Sequence, residues 1–174
     1  FEVLKGISTY TYKGNWKLQT ENGVDGYHVH QAHLNFALTT ANRERIRASE
    51  EHTKSMQVGQ LGAKGLNGGF FDFGNGHTML WGDWPNKGDR RPNFHRWAEW
   101  SEKYGETRTE WMIGKLRNLQ LYPNVFIMDQ MSTQIRVFRP ISVDLTEVTV
   151  YAIAPKGEEK QYRRARVRQY EDFF

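Results

Sequence analysis

The sequence contains no cysteine among its 174 residues. Without thiols, the chain has no disulfide framework, no thiolate zinc site and no cysteine ligands for an iron–sulfur cluster. It also lacks a run of about 18 apolar residues and an N-terminal signal-peptide pattern. These absences argue against disulfide-rich secreted proteins and membrane-spanning proteins, and we expect a cytoplasmic location.

The positive charge of the chain is modest and local. The net charge is +4, and a cluster of basic residues lies between Lys156 and Arg168. Nucleic-acid binding requires a basic face combined with stacking aromatic side chains or a reading helix. The solvated face of one terminal helix accounts for this cluster, so we expect no nucleic-acid partner. The length fits one domain, and an aromatic content of 14% suits an aromatic-lined pocket.

Potential metal ligands are concentrated in one short segment. His28, His30 and His33 lie within six positions, and Asp25 precedes the first of them by three residues. On a helix with about 100° per residue and His28 at zero, Asp25 lies near 60°, His33 near 140° and His30 near 200°. His28 and His33 therefore face a common side and His30 does not. We predict a mononuclear metal site here, with ordinary surface or core histidines as the alternative.

The helix expected for this segment is irregular. An i, i+5 histidine pair converges only if the helix opens by one residue, as in a π-bulge. Gly23 and Gly26 fit such a helix, because glycine disfavours regular helix by about 1 kcal/mol relative to alanine and allows close approach to the backbone. Thr20 is a candidate N-cap for the helix.

The C-terminal half has the pattern of a β-meander followed by a helix. Strand-like stretches cover residues 125–128, 132–140 and 146–154, and a helix is predicted from about Glu158 to Phe174. In the second stretch, Ile135, Val137 and Phe138 supply apolar side chains. Strands followed by a long terminal helix predict an α+β fold, with an antiparallel sheet wrapped around that helix.

The remaining segments are predicted from turn signals and apolar spacing. Residues 1–14 predict a strand and turn, and Trp16 to Gln19 a further short strand. Residues 94–120 predict a helix broken near Gly105. The glycine-rich run 59–76 predicts tight turns between short strands rather than a phosphate-binding loop, because it lacks the Gly-Lys-Ser/Thr ending. His77, which follows this run, is interpreted as structural, with a pocket role as the alternative.

Several motifs together resemble one enzyme family over essentially all 174 residues. The family is the catalytic domain of the alpha (large) subunits of Rieske non-haem iron aromatic-ring-hydroxylating dioxygenases, and the run from Arg168 to Phe174 resembles its benzoate and anthranilate branch. The motifs are Asn15-Trp16-Lys17, Glu21-Asn22, Asp25-x-Tyr27-His28-x-x-x-x-His33, Gly74-Asn75-Gly76-His77, Leu121-Tyr122-Pro123-Asn124-Val125, Ile135-Arg136-Val137-Phe138-Arg139-Pro140 and Thr146-Glu147-Val148.

The resemblance implies a helix-grip (START-like) fold and iron(II)-dependent cis-dihydroxylation of an aromatic substrate. The substrate would be a benzoate-like acid or an anthranilate- or aniline-like compound. By resemblance, His28 and His33 bind the iron, and Asp25 hydrogen-bonds a ligand histidine and bridges to the Rieske-cluster histidine of a neighbouring subunit. The residues at substrate-pocket positions of the family are Asn22, Gly23, Gly26 and Val29.

The resemblance also implies parts that this chain does not supply. In the family the third iron ligand is a carboxylate from an Asp-Asp pair beyond the position of Phe174, and Asp172 does not match that position. Because the chain begins at Phe1, we interpret residues 1–174 as a truncated catalytic domain without the Rieske [2Fe-2S] domain. We expect this piece alone to be inactive and to bind iron weakly or not at all. The expected partners are O2, a beta subunit and an NADH-dependent reductase, in an alpha3beta3 or alpha3 assembly.

Two other functions fit part of the sequence. His28, His33 and Asp25 together have the composition of a hydrolytic zinc site, in which Asp25 would bind the metal directly. A non-catalytic helix-grip module that binds a ligand would leave both histidines without a chemical role.

Overall fold

The fold is an α+β arrangement in which an antiparallel sheet curves around a C-terminal helix. A computed structural model describes residues 1–47, 67–84, 88 and 91–173. No helix in these ranges is long and apolar enough to cross a membrane. The part of the glycine-rich run that precedes Asn67 lies outside the described residues.

The described strands form one eight-stranded sheet in which every described pair is antiparallel. The order is β1-β8-β7-β6-β5-β4-β3, and β2 pairs with β8 beside β1. The bounds are β1 Glu2–Val3, β2 Ser8–Lys13, β3 Gly68–Asp72, β4 Thr78–Asp83, β5 Lys115–Leu121, β6 Val125–Asp129, β7 Thr133–Ser142 and β8 Leu145–Ala154.

Two of the described helices, Trp16–Val24 and Lys160–Phe173, pack against strands of the sheet. A 3₁₀ turn at Phe94–Arg96 precedes α4, and a π-helical turn at Glu110–Gly114 leads into β5. The bounds are α1 Trp16–Val24, α2 Val29–Ala32, α3 Leu34–Ile46, α4 Trp97–Tyr104, α5 Glu106–Thr109 and α6 Lys160–Phe173.

Strand alternation determines the core. Successive side chains of a strand point to opposite faces, and every second residue of β8 is buried, including Val148 and Val150. Together with Phe126 and Phe138 they form a cluster against which Tyr170 of α6 packs. The predicted α+β helix-grip fold, including β6, β7, β8 and the final helix, is therefore confirmed.

Buried ion pairs fix the start of α6. Arg166 and Glu158 form an ion pair at 2.7 Å, with side chains only 4% and 2% exposed. Arg166 also donates to the Thr133 hydroxyl at 2.6 Å, which joins the helix to the first residue of β7. Removing one partner of such a pair leaves a buried charge, so the contact holds α6 in one position over the sheet.

The prediction for residues 16–20 was wrong. Trp16–Val24 is helix rather than strand, and its N-cap is Asn15, whose side chain accepts a hydrogen bond from the Lys17 amide at 3.1 Å. Asparagine is among the best N-cap residues. Thr20 lies inside the helix and donates to the Trp16 carbonyl.

The predicted helix 94–120 was wrong in its last part. Residues 115–121 form β5, in which Leu116, Asn118 and Gln120 are buried and their neighbours are more exposed. This period of two reflects pairing of the segment with β4 and β6, which overrides the helical spacing of its apolar residues. The predicted break near Gly105 is confirmed, because Gly105 has φ +83° between α4 and α5.

Candidate metal centre and its cavity

The sequence predicted one bulged helix for the histidine segment, and this prediction was wrong. The segment is a turn followed by the short helix α2, and it lies between α1 and α3. Helix α1 ends at Val24, and Asp25 follows with an extended backbone. The Asp25 carboxylate accepts the Tyr27 amide at 2.7 Å, a short-range turn that competes with helix continuation. Its second oxygen lies 3.3 Å from Nδ1 of His28. Asp25 therefore stops the helix and orients the first histidine.

His28 and His33 come together despite the broken helix. They flank the four-residue helix α2, His28 at its N-terminal end and His33 at the junction with α3. Their ring centroids are 5.1 Å apart, with an interplanar angle of 65°. The short helix thus takes the place of the expected π-bulge in bringing the i and i+5 side chains side by side.

The protonation states suit metal binding. The Tyr27 amide, with the partially opposing effect of burial and with help from His28, holds the pKa of Asp25 below its usual value, so this carboxylate is ionised at neutral pH. An ionised carboxylate only accepts, so Nδ1 of His28 donates; in a neutral imidazole the lone pair then lies on Nε2, where a metal can bind. Burial, and then the charges of His28 and Arg136, lower the pKa of His33 and favour its neutral form.

A cavity of about 540 Å³ opens beside these two imidazoles. This volume is in the usual range for small-molecule sites. Its walls include five side chains from the face of the sheet that is turned toward the cavity: Leu80, Leu116, Phe126, Met128 and Phe138. The residues that the sequence predicted for the site all line it: Asn22, Gly23, Asp25, Gly26, His28, Val29 and His33.

Gly23 allows the closest approach between α1 and the sheet. A Cβ atom at this position would overlap the ring of Phe126, whereas a Cβ at Gly26 would meet nothing within 4 Å. The Asn118 side chain donates to the Gly23 carbonyl at 2.6 Å, satisfying one of the last carbonyls of α1. The close approach expected from glycine is therefore confirmed at Gly23, and at Gly26 it stays a prediction, because no described atom lies near that position.

The described residues supply two candidate metal ligands and no complete set of three. Within residues 1–47, 67–84, 88 and 91–173, no three histidine, aspartate or glutamate side chains are arranged to hold a metal ion. Asp25 is directed to a ring nitrogen of His28. Two imidazoles, one of them oriented by a carboxylate, fit two of the three positions of a two-histidine, one-carboxylate iron(II) site.

Asp172 has a different role from that of a metal ligand. Its side chain is 4% exposed and forms an ion pair with Arg43 of α3. Nε of Arg168 lies 3.1 Å from the same carboxylate. Two guanidinium groups therefore hold Asp172, and the contact joins α3, which begins directly after His33, to the final helix.

Predictions were also made for His77 and His30, and the structure describes the side chain of only the first. Nδ1 of His77 accepts the Tyr122 amide at 3.0 Å, which confirms the structural interpretation. The prediction that His30 faces away concerns a side chain outside the described part of the structure.

Sequence reasoning missed the most prominent charge of the cavity wall. Arg136, which lines the cavity, lies between Gln134 and Phe138 on the inward face of β7, and both of these neighbours are buried. Of the three apolar side chains noted in this strand, Phe138 lies on the inward face with Arg136, and Ile135 and Val137 lie on the opposite face. The sequence feature that could have identified Arg136 is its spacing from Phe138. Residues two positions apart in a strand lie on the same face, so Arg136 shares the face of Phe138 and Ile135 does not.

A comparison with known protein families finds a match over the whole chain. The family described as "Ring hydroxylating alpha subunit (catalytic domain)" matches residues 1–174. The chain belongs to this family. Its relatives include the toluate 1,2-dioxygenase subunit alpha of Pseudomonas putida, 50% identical over 99% of this chain, and the 2-halobenzoate 1,2-dioxygenase large subunit of Burkholderia cepacia, 48% identical over 99%. The anthranilate 1,2-dioxygenase large subunit of Acinetobacter baylyi is 45% identical over 99%.

The fold of the ring-hydroxylating family is also found among solved structures. A naphthalene 1,2-dioxygenase with indole bound in its active site aligns with a TM-score of 0.66 and 19% identity, covering 98% of this chain and 38% of the other. The chain spans 36% to 37% of the length of the three named relatives. The predicted family and its benzoate and anthranilate branch are therefore confirmed.

Proposed function

We propose that the protein containing this domain is an iron(II)-dependent dioxygenase that adds both atoms of O2 to an aromatic acid, giving a cis-1,2-diol. The observation that carries the proposal is the convergence of the two histidines of the family motif beside a cavity with largely apolar walls. Substrate, O2, NADH and a proton would give the diol and NAD⁺. A benzoate-like acid is the primary candidate, and an anthranilate- or aniline-like compound is the alternative.

In this proposal the residues of the chain bind the iron, orient its ligands and keep water away from the substrate. Nε2 of His28 and a ring nitrogen of His33 would hold the iron, and Asp25 fixes the ring of His28 by accepting from Nδ1. Phe126 and Phe138 exclude water and position the aromatic ring. When bound, iron(II) supplies the activation of O2 for addition to the ring.

We further propose that the parts missing from this domain lie elsewhere in the protein. A carboxylate outside the described residues completes the iron site, and a Rieske [2Fe-2S] domain delivers electrons through Asp25. The printed names of the relatives describe alpha or large subunits, which supports a beta subunit as partner. A reductase that uses NADH, an alpha3beta3 or alpha3 assembly and a cytoplasmic location complete the proposal.

Metal exchange in the full-length enzyme tests the choice between iron chemistry and zinc chemistry. After chelation, we expect iron(II) to restore benzoate-dependent NADH and O2 consumption, whereas zinc restores less than about one hundredth of it, since zinc has no redox chemistry. The measurement is O2 uptake with the reductase present. Restoration by zinc of a hydrolytic activity, without O2 uptake by the iron form, would favour the zinc hydrolase instead.

A further inference from the structure

Arg136 occupies a position in the sheet where an apolar residue is expected. On β7 it alternates with Gln134 and Phe138, and its register partners are Phe126 on β6 and Val150 on β8. Both partners are buried. A charged side chain is placed among buried apolar neighbours at a substantial desolvation cost, which a function of that charge explains.

The guanidinium contacts an aromatic ring that also packs on one of the two candidate metal ligands. Its Cζ is 4.9 Å from the centroid of the Phe173 ring, and that ring is 6.0 Å from the ring of His33. Nε of Arg136 donates to the Gln134 side chain at 3.2 Å, which orients the group along the cavity wall. Burial lowers the pKa of Arg136, but a guanidinium remains charged at any physiological pH. Arg136 thus places a positive charge on the wall of the cavity that His28 and His33 also line.

The acidic residues of the same wall are engaged with other groups. Asp25 accepts from Tyr27 and lies against His28. Asp83 forms an ion pair with Lys115 and accepts the Asn67 amide at 2.7 Å.

We propose that Arg136 binds the carboxylate of the substrate and makes the enzyme select aromatic acids over neutral aromatic compounds. This inference rests on the proposed function and specifies its substrate class. A guanidinium matches a carboxylate in geometry and donates two parallel hydrogen bonds to it. The apolar walls at Phe126, Met128 and Phe138 then receive the ring.

The position of the anchor agrees with hydroxylation at ring carbons 1 and 2. In a benzoate-like acid the carboxylate is bonded to carbon 1, so the reacting carbons lie within one or two bonds of the anchored group. An anchor far from the metal would place the opposite side of the ring near the iron. Arg136 and His33 both contact the ring of Phe173, so a single aromatic ring links the proposed anchor to one of the candidate iron ligands.

Equilibrium binding to the iron-loaded, full-length enzyme without reductase tests this role. Benzoate and its neutral analogue benzamide are titrated into the wild type, Arg136→Met and Arg136→Lys. We expect Arg136→Met to weaken benzoate binding about 10- to 100-fold, because a charge-assisted pair is lost, with benzamide changed less than about threefold. Arg136→Lys keeps the charge without the fork and should show an intermediate loss for benzoate.

A matched control is available on the same strand. Arg139 has a side chain that is 64% exposed and pairs with Glu147 at 2.8 Å on the outside of the sheet. Arg139→Met removes the same charge from β7 without reaching the cavity, and we expect benzoate binding to remain at the wild-type value. Iron content and circular dichroism, measured for every variant, show whether the fold is retained.

Three results would overturn the role of Arg136. These are unchanged benzoate binding in Arg136→Met, an equal loss of benzoate and benzamide in that variant, and a wild type that binds benzamide as tightly as benzoate. The last result needs no variant and decides the question even if Arg136→Met does not fold. Because binding is measured without turnover, an enzyme that binds benzoate through Arg136 but forms no oxidised product would contradict only the proposed function.

Discussion

Replacing His28 or His33 with alanine in the full-length protein is expected to remove the iron and lower benzoate turnover at least about a thousandfold. Such a loss corresponds to about 4 kcal/mol of activation free energy, a reasonable value for the loss of a catalytic metal. In the proposed function each imidazole supplies one iron ligand, and the two rings lie 5.1 Å apart. Iron content by atomic absorption and diol formation are the two measurements.

His77→Ala is the matched control for the ligand substitutions. The His77 ring accepts a backbone amide at 3.0 Å and does not line the cavity. Its replacement should leave the iron content unchanged, with at most a modest loss of stability from the missing hydrogen bond. A His28→Ala or His33→Ala enzyme that retains one iron per subunit and wild-type turnover would contradict the assignment.

Asp25→Asn is expected to keep most of the iron but to lower turnover about 10- to 100-fold, the usual effect of altering a partner of a metal ligand. Asparagine keeps the size and accepts the Tyr27 amide, yet it removes a charge that lies 3.3 Å from His28. Because the lowered pKa of Asp25 keeps the wild-type carboxylate ionised at neutral pH, the substitution changes the charge of the site. The measurement is the rate at which the reduced cluster is oxidised in a single turnover with benzoate and O2.

An aspartate far from the cavity provides the comparison for that substitution. Asp144 lies in the exposed turn between β7 and β8, where it contacts Ser142. Asp144→Asn removes one negative charge from the same domain and should leave cluster oxidation at the wild-type rate. An Asp25→Asn enzyme with unchanged cluster oxidation and full turnover would exclude both the orienting role and the electron-transfer role.

The sheet and its last helix were predictable because local pattern and tertiary structure agree there. Residues 147–150 alternate between polar and apolar side chains, and every second residue of β8 is buried. Residues 115–120 show the opposite case. Their apolar spacing also fits a helix, and only pairing with two neighbouring strands, which no local pattern reveals, makes them β5.

The two candidate metal ligands were predictable from the family motif, but the backbone conformation that brings their rings together was not. A uniform helix projection places His28 and His33 about 140° apart and requires a bulge. The chain instead ends α1 at Val24 through the Asp25 side chain and restarts as a short helix. This solution depends on a side-chain hydrogen bond that competes with the helix, which periodicity does not describe.

The part of the cavity wall that the sheet supplies was the least accessible to sequence reasoning. Arg136 comes from β7, more than a hundred residues after His28, and its inward direction depends on the register of three strands. In the sequence Arg136 is flanked by Ile135 and Val137. Hydrophobicity alone would place these two apolar side chains, and not Arg136, on the inward face. A one-residue shift of phase reverses which side chains reach the cavity.

Isotopic labelling of the product tests the central claim most directly. The full-length enzyme with its reductase, NADH and iron(II) is supplied with benzoate under ¹⁸O2, and the product is analysed by mass spectrometry. The account predicts a cis-1,2-diol in which both hydroxyl oxygens carry the label. A product whose new oxygens come from water, or an iron-loaded enzyme that consumes O2 without forming a diol from any aromatic acid, would contradict it.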